Sequence, residues 1–195
     1  MPNQLFYIHG FNSSPKSAKA CLIADYLQQQ GLSVRYQVPE LSYSPSVAIS
    51  TLEANIVACL AENKSAKIGL IGSSMGGYYG TWIAEKYGLS LVLVNPAVRP
   101  YKLLPEYLGE NENIYTGEKY QVTEAAIDEL KQLEVDPITR PERYLLLTQQ
   151  GDEVLDYREG VEKYQQSRQI VQPGGSHGFD GFELMLPEIM AFLFE

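Results

Sequence analysis

Short apolar runs alternate with longer amphipathic stretches along nearly the whole chain, and this alternation restricts the fold more than any other feature. Leu5–Ile8 reads as a strand that ends at His9-Gly10. Ser14-Pro15 then reads as a helix cap with proline in the first turn, giving a helix from about Pro15 to Gln30 that stops at Gly31. Ser33–Val38 is a second strand. Ser44-Pro45 repeats the cap, and Ala48, Leu52, Ile56, Cys59 and Leu60 after it fall on one helical face. Lys67–Ile71 is a third strand, Gly72–Gly77 a tight turn, and a helix follows to Tyr87, closed by Gly88. Leu89–Val94 is a fourth strand, ended by Asn95-Pro96. Thr123 caps a helix to about Glu134, Tyr144–Thr148 is a fifth strand, and Asp156–Gln166 is a helix. Gln169–Gln172 is a sixth strand, and Glu183–Phe194 a terminal helix with Pro187 near its start.

This order specifies an α/β fold: a compact, mostly parallel six-stranded sheet with helices on both faces and its sites at the carboxyl ends of the strands. Residues 97–122 have no clean period and carry Tyr101, Tyr107, Tyr115 and Tyr120 among Pro, Gly and Asn. They read as an irregular excursion over the active-site face. A length of 195 residues points to one domain over 1–195, with no large cap.

Composition narrows the function. The formal charge of −9 argues against a nucleic-acid partner, since gripping phosphates needs a basic face. Two histidines, His9 and His177, cannot build a histidine-rich metal site, and no metal or cofactor is expected. Cys21 and Cys59 alone argue against a disulfide framework and are expected to be free and buried. No basic leader and no apolar run of about 18 residues is present, so the expectation is a cytoplasmic protein without a membrane span.

Gly72-Ser73-Ser74-Met75-Gly76 matches G-x-S-x-G, a weak pattern alone. Here it follows an apolar strand and opens a helix, the setting of a nucleophile elbow, in which side chains at Gly72 and Gly76 would collide with neighbouring backbone. The plain alternative is a glycine-rich helix start that merely packs closely. Ser74 needs an imidazole to take its proton. His177, in a polar loop after the sixth strand, is the candidate base. Asp152, after the fifth strand, is the candidate acid that orients it; Glu153, Asp180, Asp136 and Asp156 are its weaker competitors. The chain order Ser74, Asp152, His177 is that of an α/β hydrolase. The candidate oxyanion donors are the backbone N–H groups of Met75 and Phe11, with Gly10 allowing close approach. His9 is read as structural, its ring bonding loop backbone.

His9-Gly10-Phe11, Gly72–Gly77, Asn95-Pro96-Ala97, Gly151–Val154 and Gly175-Ser176-His177 together resemble the small bacterial YqiA/YcfP-type esterases of the α/β-hydrolase superfamily. The resemblance runs from Leu5 to Phe194. It implies a small-molecule acyl ester substrate, with acyl-CoA thioesters as the alternative. The rival from another class is a non-catalytic binding protein on the same fold. Asn95, Tyr101 and Leu104 are candidate substrate contacts, with Leu103, Tyr107 and Leu108 as a candidate apolar lip; surface packing is an equal reading of these. Tyr78 and Tyr79 read as packed helix residues, and Arg158 as an ion-pair partner. The sequence does not set the oligomeric state.

Overall fold

The computed structural model describes residues 2–62, 66–113 and 115–195. The chain enters through β1 (Asn3–Ile8), α1 (Ala18–Gln29), β2 (Val34–Gln37), α2 (Pro45–Glu62), β3 (Ile68–Ser73), α3 (Met75–Tyr87) and β4 (Ser90–Val94). Two 3-10 turns follow, Pro100–Lys102 and Leu104–Tyr107, and then β5 (Gly109–Glu112) and β6 (Lys119–Val122). The remainder is α4 (Glu124–Gln132), β7 (Tyr144–Gln149), α5 (Tyr157–Lys163), β8 (Arg168–Gln172) and α6 (Leu186–Phe194).

The main sheet has six strands in the order β2-β1-β3-β4-β7-β8. Every pairing in it is parallel. Its central strands read as continuous apolar runs because both faces are covered. The period of two divides each strand between two cores. Phe6, Ile8, Leu70, Leu91, Leu93 and Leu146 pack with α2, α3 and α4. Leu5, Tyr7, Ile71, Val92, Leu145 and Leu147 pack with α1 and α6. The predicted six-stranded α/β sheet is therefore present, and all its carboxyl ends lie on one side.

Several local expectations shift. Helix α1 begins at Ala18, not Pro15. Ser14 instead closes a turn, its carbonyl accepting from Ser17 N–H at 3.0 Å and its Oγ from Lys16 N–H at 3.1 Å. Strand β3 runs on to Ser73, so the predicted six-residue turn shrinks to Ser74 alone. Helix α5 ends at Lys163 rather than Gln166, because the Tyr164 carbonyl turns to accept from Ser167 N–H at 2.8 Å. The terminal helix starts as a 3-10 turn, Phe182–Met185, before α6. Cys59 is buried, but Cys21 lies on the exposed side of α1.

The excursion over 97–122 is more ordered than its composition suggests. It contains an antiparallel hairpin in which Gly109 pairs with Val122 and Glu112 with Lys119. Each strand is four residues long, too short for an alternating pattern to stand out, yet Tyr120 and Val122 point inward and are buried. Among the described residues, no helix is long and apolar enough to cross a membrane.

Candidate active site

Strand β3 passes into α3 through one residue. Ser74 takes φ 54° and ψ −123°, a sparsely populated region for a residue with a side chain. Its N–H donates to Val94 O at 3.1 Å, and its carbonyl accepts from Gly77 N–H at 2.9 Å and Ala97 N–H at 3.0 Å. The first turn of α3 crosses the end of β1 so closely that a Cβ on Gly76 would stand 2.0 Å from Ile8 O. A Cβ on Gly72 would stand 2.5 Å from Gly76 O. Backbone occupies both places, so no side chain fits, and the steric argument read from the sequence holds atom by atom.

The structure brings the three predicted side chains together from the ends of β3, β7 and β8. His177 Nε2 lies 3.1 Å from Ser74 Oγ. On the other side of the ring, Nδ1 lies 2.9 Å from Asp152 Oδ2 and 3.0 Å from Oδ1. The carboxylate assigns the proton to Nδ1, which leaves the Nε2 lone pair facing the hydroxyl. The Asp152 side chain is 1% exposed and that of His177 24%. Burial opposes ionisation of Asp152, but the His177 hydrogen bond and two backbone N–H groups outweigh it and hold its pKa below the usual carboxylate value. Those N–H groups are Val154 at 2.9 Å and Leu155 at 2.8 Å, both on Oδ1.

The competing carboxylates go elsewhere. Glu153 Oε2 accepts from the backbone N–H of His177 at 2.9 Å, anchoring the loop rather than the ring. Asp180 Oδ1 accepts from Ser176 Oγ at 2.6 Å. Asp156 caps α5, and Arg158 pairs with it at 3.4 Å in an exposed position. Asp136 precedes a cis proline, Pro137.

A cavity of about 340 Å³ opens beside Ser74. Phe11 and Met75 line it with Ser74, so both candidate oxyanion donors belong to residues on its wall. Leu103, Leu104 and Tyr107 supply apolar surface, and Glu106 and Glu153 are its charged lining residues. Of the candidate substrate contacts, Leu104 is on this wall and the other two are not. Tyr101 turns away and donates to Glu134 Oε1 at 2.8 Å. Asn95, with a positive φ of 41° just past the central strand β4, is buried and its amide bonds the His177 loop on one side and β7 on the other. Leu108 is exposed and off the cavity wall. Tyr78 and Tyr79 are buried in α3, with Tyr78 Oη donating to Leu130 O at 2.7 Å.

His9 Nδ1 donates to Gly10 O at 3.0 Å, the backbone bond read from the sequence. Burial lowers its pKa and keeps the ring neutral. The Phe11 ring meets Tyr107 and Tyr120 edge-on, with centroids 5.5 and 5.9 Å away. Tyr120 Oη also donates to Asn12 Oδ1, and Asn113 Nδ2 to Ser13 O. The hairpin thus grips the loop that carries Phe11. The sequence shows the tyrosines but not this pairing.

A model of the uncharacterised protein family UPF0227 matches residues 4–194. Among solved structures, the chain is similar to Est1E from Butyrivibrio proteoclasticus, with a TM-score of 0.75 at 16% identity, covering 98% of this chain and 86% of that one. It is similar to the esterase domain of a Rhodothermus marinus protein, with a TM-score of 0.70 at 16% identity over 98% and 87% of the two chains. It is also similar to XC6422 from Xanthomonas campestris, described as an α/β serine hydrolase without a lid, with a TM-score of 0.66 at 14% identity over 97% and 81%. The architecture is the α/β-hydrolase fold, as the resemblance in the sequence implied.

Two outcomes are expected from this geometry. Gly76→Ala should cost about 4 kcal/mol or more of stability, because a backbone carbonyl must move; a wild-type urea midpoint would contradict the crossing. Because the Asp152 pKa is depressed in the folded state, its stabilisation is present above the unfolded carboxylate pKa and is lost as pH falls through the folded value. The difference in melting temperature between wild type and Asp152→Asn should therefore be largest near neutrality and shrink below about pH 4.

Proposed function

The chain belongs to the UPF0227 family, and we propose that it is a serine esterase working through an acyl-enzyme. The carrying observation is the unbroken relay from Ser74 Oγ through the His177 ring to Asp152, at 3.1 and 2.9 Å, opening onto an apolar cavity. A binding protein on this fold has no use for a strained serine aligned with a paired imidazole.

In the proposed reaction Ser74 Oγ attacks the ester carbonyl while its proton passes to His177 Nε2. The imidazolium that forms is stabilised by Asp152, which stays ionised. Negative charge collects on the former carbonyl oxygen, where the N–H groups of Met75 and Phe11 serve as donors. Met75 is the first residue of α3, so the positive end of the helix adds to its effect. His177 then returns its proton to the leaving alkoxide, and the alcohol departs. Water, deprotonated by the same imidazole, attacks the acyl carbon and releases the acid and free Ser74. This route needs no cofactor. The likeness to esterases and a serine hydrolase supports the reading at the level of fold.

The cavity lining favours an oxyester over an acyl-CoA thioester. Its two charged lining residues, Glu106 and Glu153, are both acidic, and the chain carries nine surplus negative charges. A polyphosphate would meet repulsion at that mouth, whereas an uncharged alcohol would not.

Ser74→Ala should lower hydrolysis of p-nitrophenyl acetate by about a thousandfold or more and remove labelling by a fluorophosphonate. Retained turnover would overturn the assignment. Wild type should hydrolyse an acetyl oxyester faster than acetyl-CoA, and the gap should narrow as salt screens the glutamates; a faster thioester would reverse the substrate reading.

A further inference from the structure

The loop after β8 has to hold the His177 ring between two groups from different strands, yet two of its glycines, Gly174 and Gly175, have positive φ and little intrinsic rigidity. Glu153 and Lys19 bind it from the exposed side, at His177 N–H and Gly178 O, and two buried amides hold it from within. Asn95, just past β4, donates from Nδ2 to Ser176 O at 2.9 Å and His177 O at 3.1 Å. Its Oδ1 accepts from Thr148 Oγ1 at 3.2 Å and Gln149 N–H at 3.0 Å. The amide is thereby fixed in orientation by β7 before it meets the loop.

Gln149, the last residue of β7, holds the loop from the other side. Its Oε1 accepts from Ser176 N–H at 3.1 Å and Asp180 N–H at 2.8 Å. Its Nε2 donates to Asp180 O and to Gln172 Oε1, each at 2.8 Å. The fit is close: a Cβ on Gly175 would stand 2.0 Å from Gln149 Oε1. Asn95 is 2% exposed and Gln149 3%. Burying two primary amides is costly unless they are satisfied, and here their oxygens and nitrogens are satisfied largely by the backbone around His177. General packing would need no such choice of partners.

We propose that Asn95 and Gln149 are positioning residues that set the His177 imidazole in line with Ser74. The inference rests on the serine-esterase reading. Neither residue touches the reacting atoms; both act through the backbone of residues 176–180. Removing either lets the ring move off the line to the hydroxyl, a displacement felt in the proton transfer and not in substrate binding.

The test is a double-mutant cycle on the full chain with p-nitrophenyl acetate. Asn95→Asp keeps the acceptor for β7 and removes the donor to the loop. Gln149→Met keeps the volume and removes the acceptor from the opposite side, so it carries the test should Asn95→Asp fail to fold. Each is measured alone and with His177→Ala, below its own melting temperature. Each single variant should lower kcat by about tenfold or more with KM little changed. In the His177→Ala background the same substitution should cost nothing further, because the group it positions is gone. An equal loss in both backgrounds, or unchanged kcat in a folded variant, would overturn the proposal. Wild-type turnover by Ser74→Ala or His177→Ala would instead sink the esterase reading itself and take this inference with it. Dependence on Ser74 and His177 with silent amide variants would sink the inference alone.

Discussion

The crossing of α3 over the end of β1 is the contact on which the rest of the structure depends. With Ile8 O only 2.0 Å from where a Cβ of Gly76 would lie, backbone packs on backbone, and the chain has room there for one residue of turn. That residue is Ser74. The strain at its φ of 54° is held by backbone on every side: its N–H is tied to Val94 at the end of β4, and its carbonyl to Gly77 of α3 and to Ala97. A hydroxyl raised at a fixed point above the sheet follows from this packing before any chemistry is considered.

The other parts of the site arrive by the same geometry. In a parallel sheet every carboxyl end faces the same way, so loops after β1, β3, β4, β7 and β8 converge on one edge. They do different work there. The loop after β3 presents Ser74, the loop after β7 presents a carboxylate bound by its own backbone, and the loop after β8 presents an imidazole. The segment after β4 supplies cavity wall from Ala97 to Tyr107, and Asn95 at its start binds the imidazole loop.

Much of this was legible in the residues, and the exceptions have physical causes. Buried parallel strands leave apolar runs that need no neighbours to be recognised, so the six strands of the main sheet stand near their expected places. The elbow is legible because glycine at positions 72 and 76 has a steric meaning. The hairpin was not, since Gly109–Glu112 and Lys119–Val122 are short and mostly polar, and their order comes from Tyr120 meeting Tyr43 and Phe11. Asn95 shows where the amide is but not which way it turns; a positive φ decides that, and asparagine is among the residues that accept one. Gln149 stands in a Gln-Gln pair that closes the apolar run from Tyr144, and only the structure shows that it is the buried one of the two. The helix start at Ala18 instead of Pro15 reflects a turn and a cap competing for the same serine-proline pair.

The hairpin of β5 and β6 and the turn before it brace the loop after β1 with one set of aromatic rings. Tyr120 stacks on Tyr43 with ring centroids 3.6 Å apart, bonds Asn12, and meets the ring of Phe11, while Tyr107 just before the hairpin both meets Phe11 and lines the cavity. The wall that shapes the cavity and the brace that steadies the loop after β1 therefore share Tyr107 and Phe11. Reshaping the cavity at either of these two rings also shifts the loop that carries Phe11. A change at Tyr107 or Phe11 alters the cavity wall and the loop's support together.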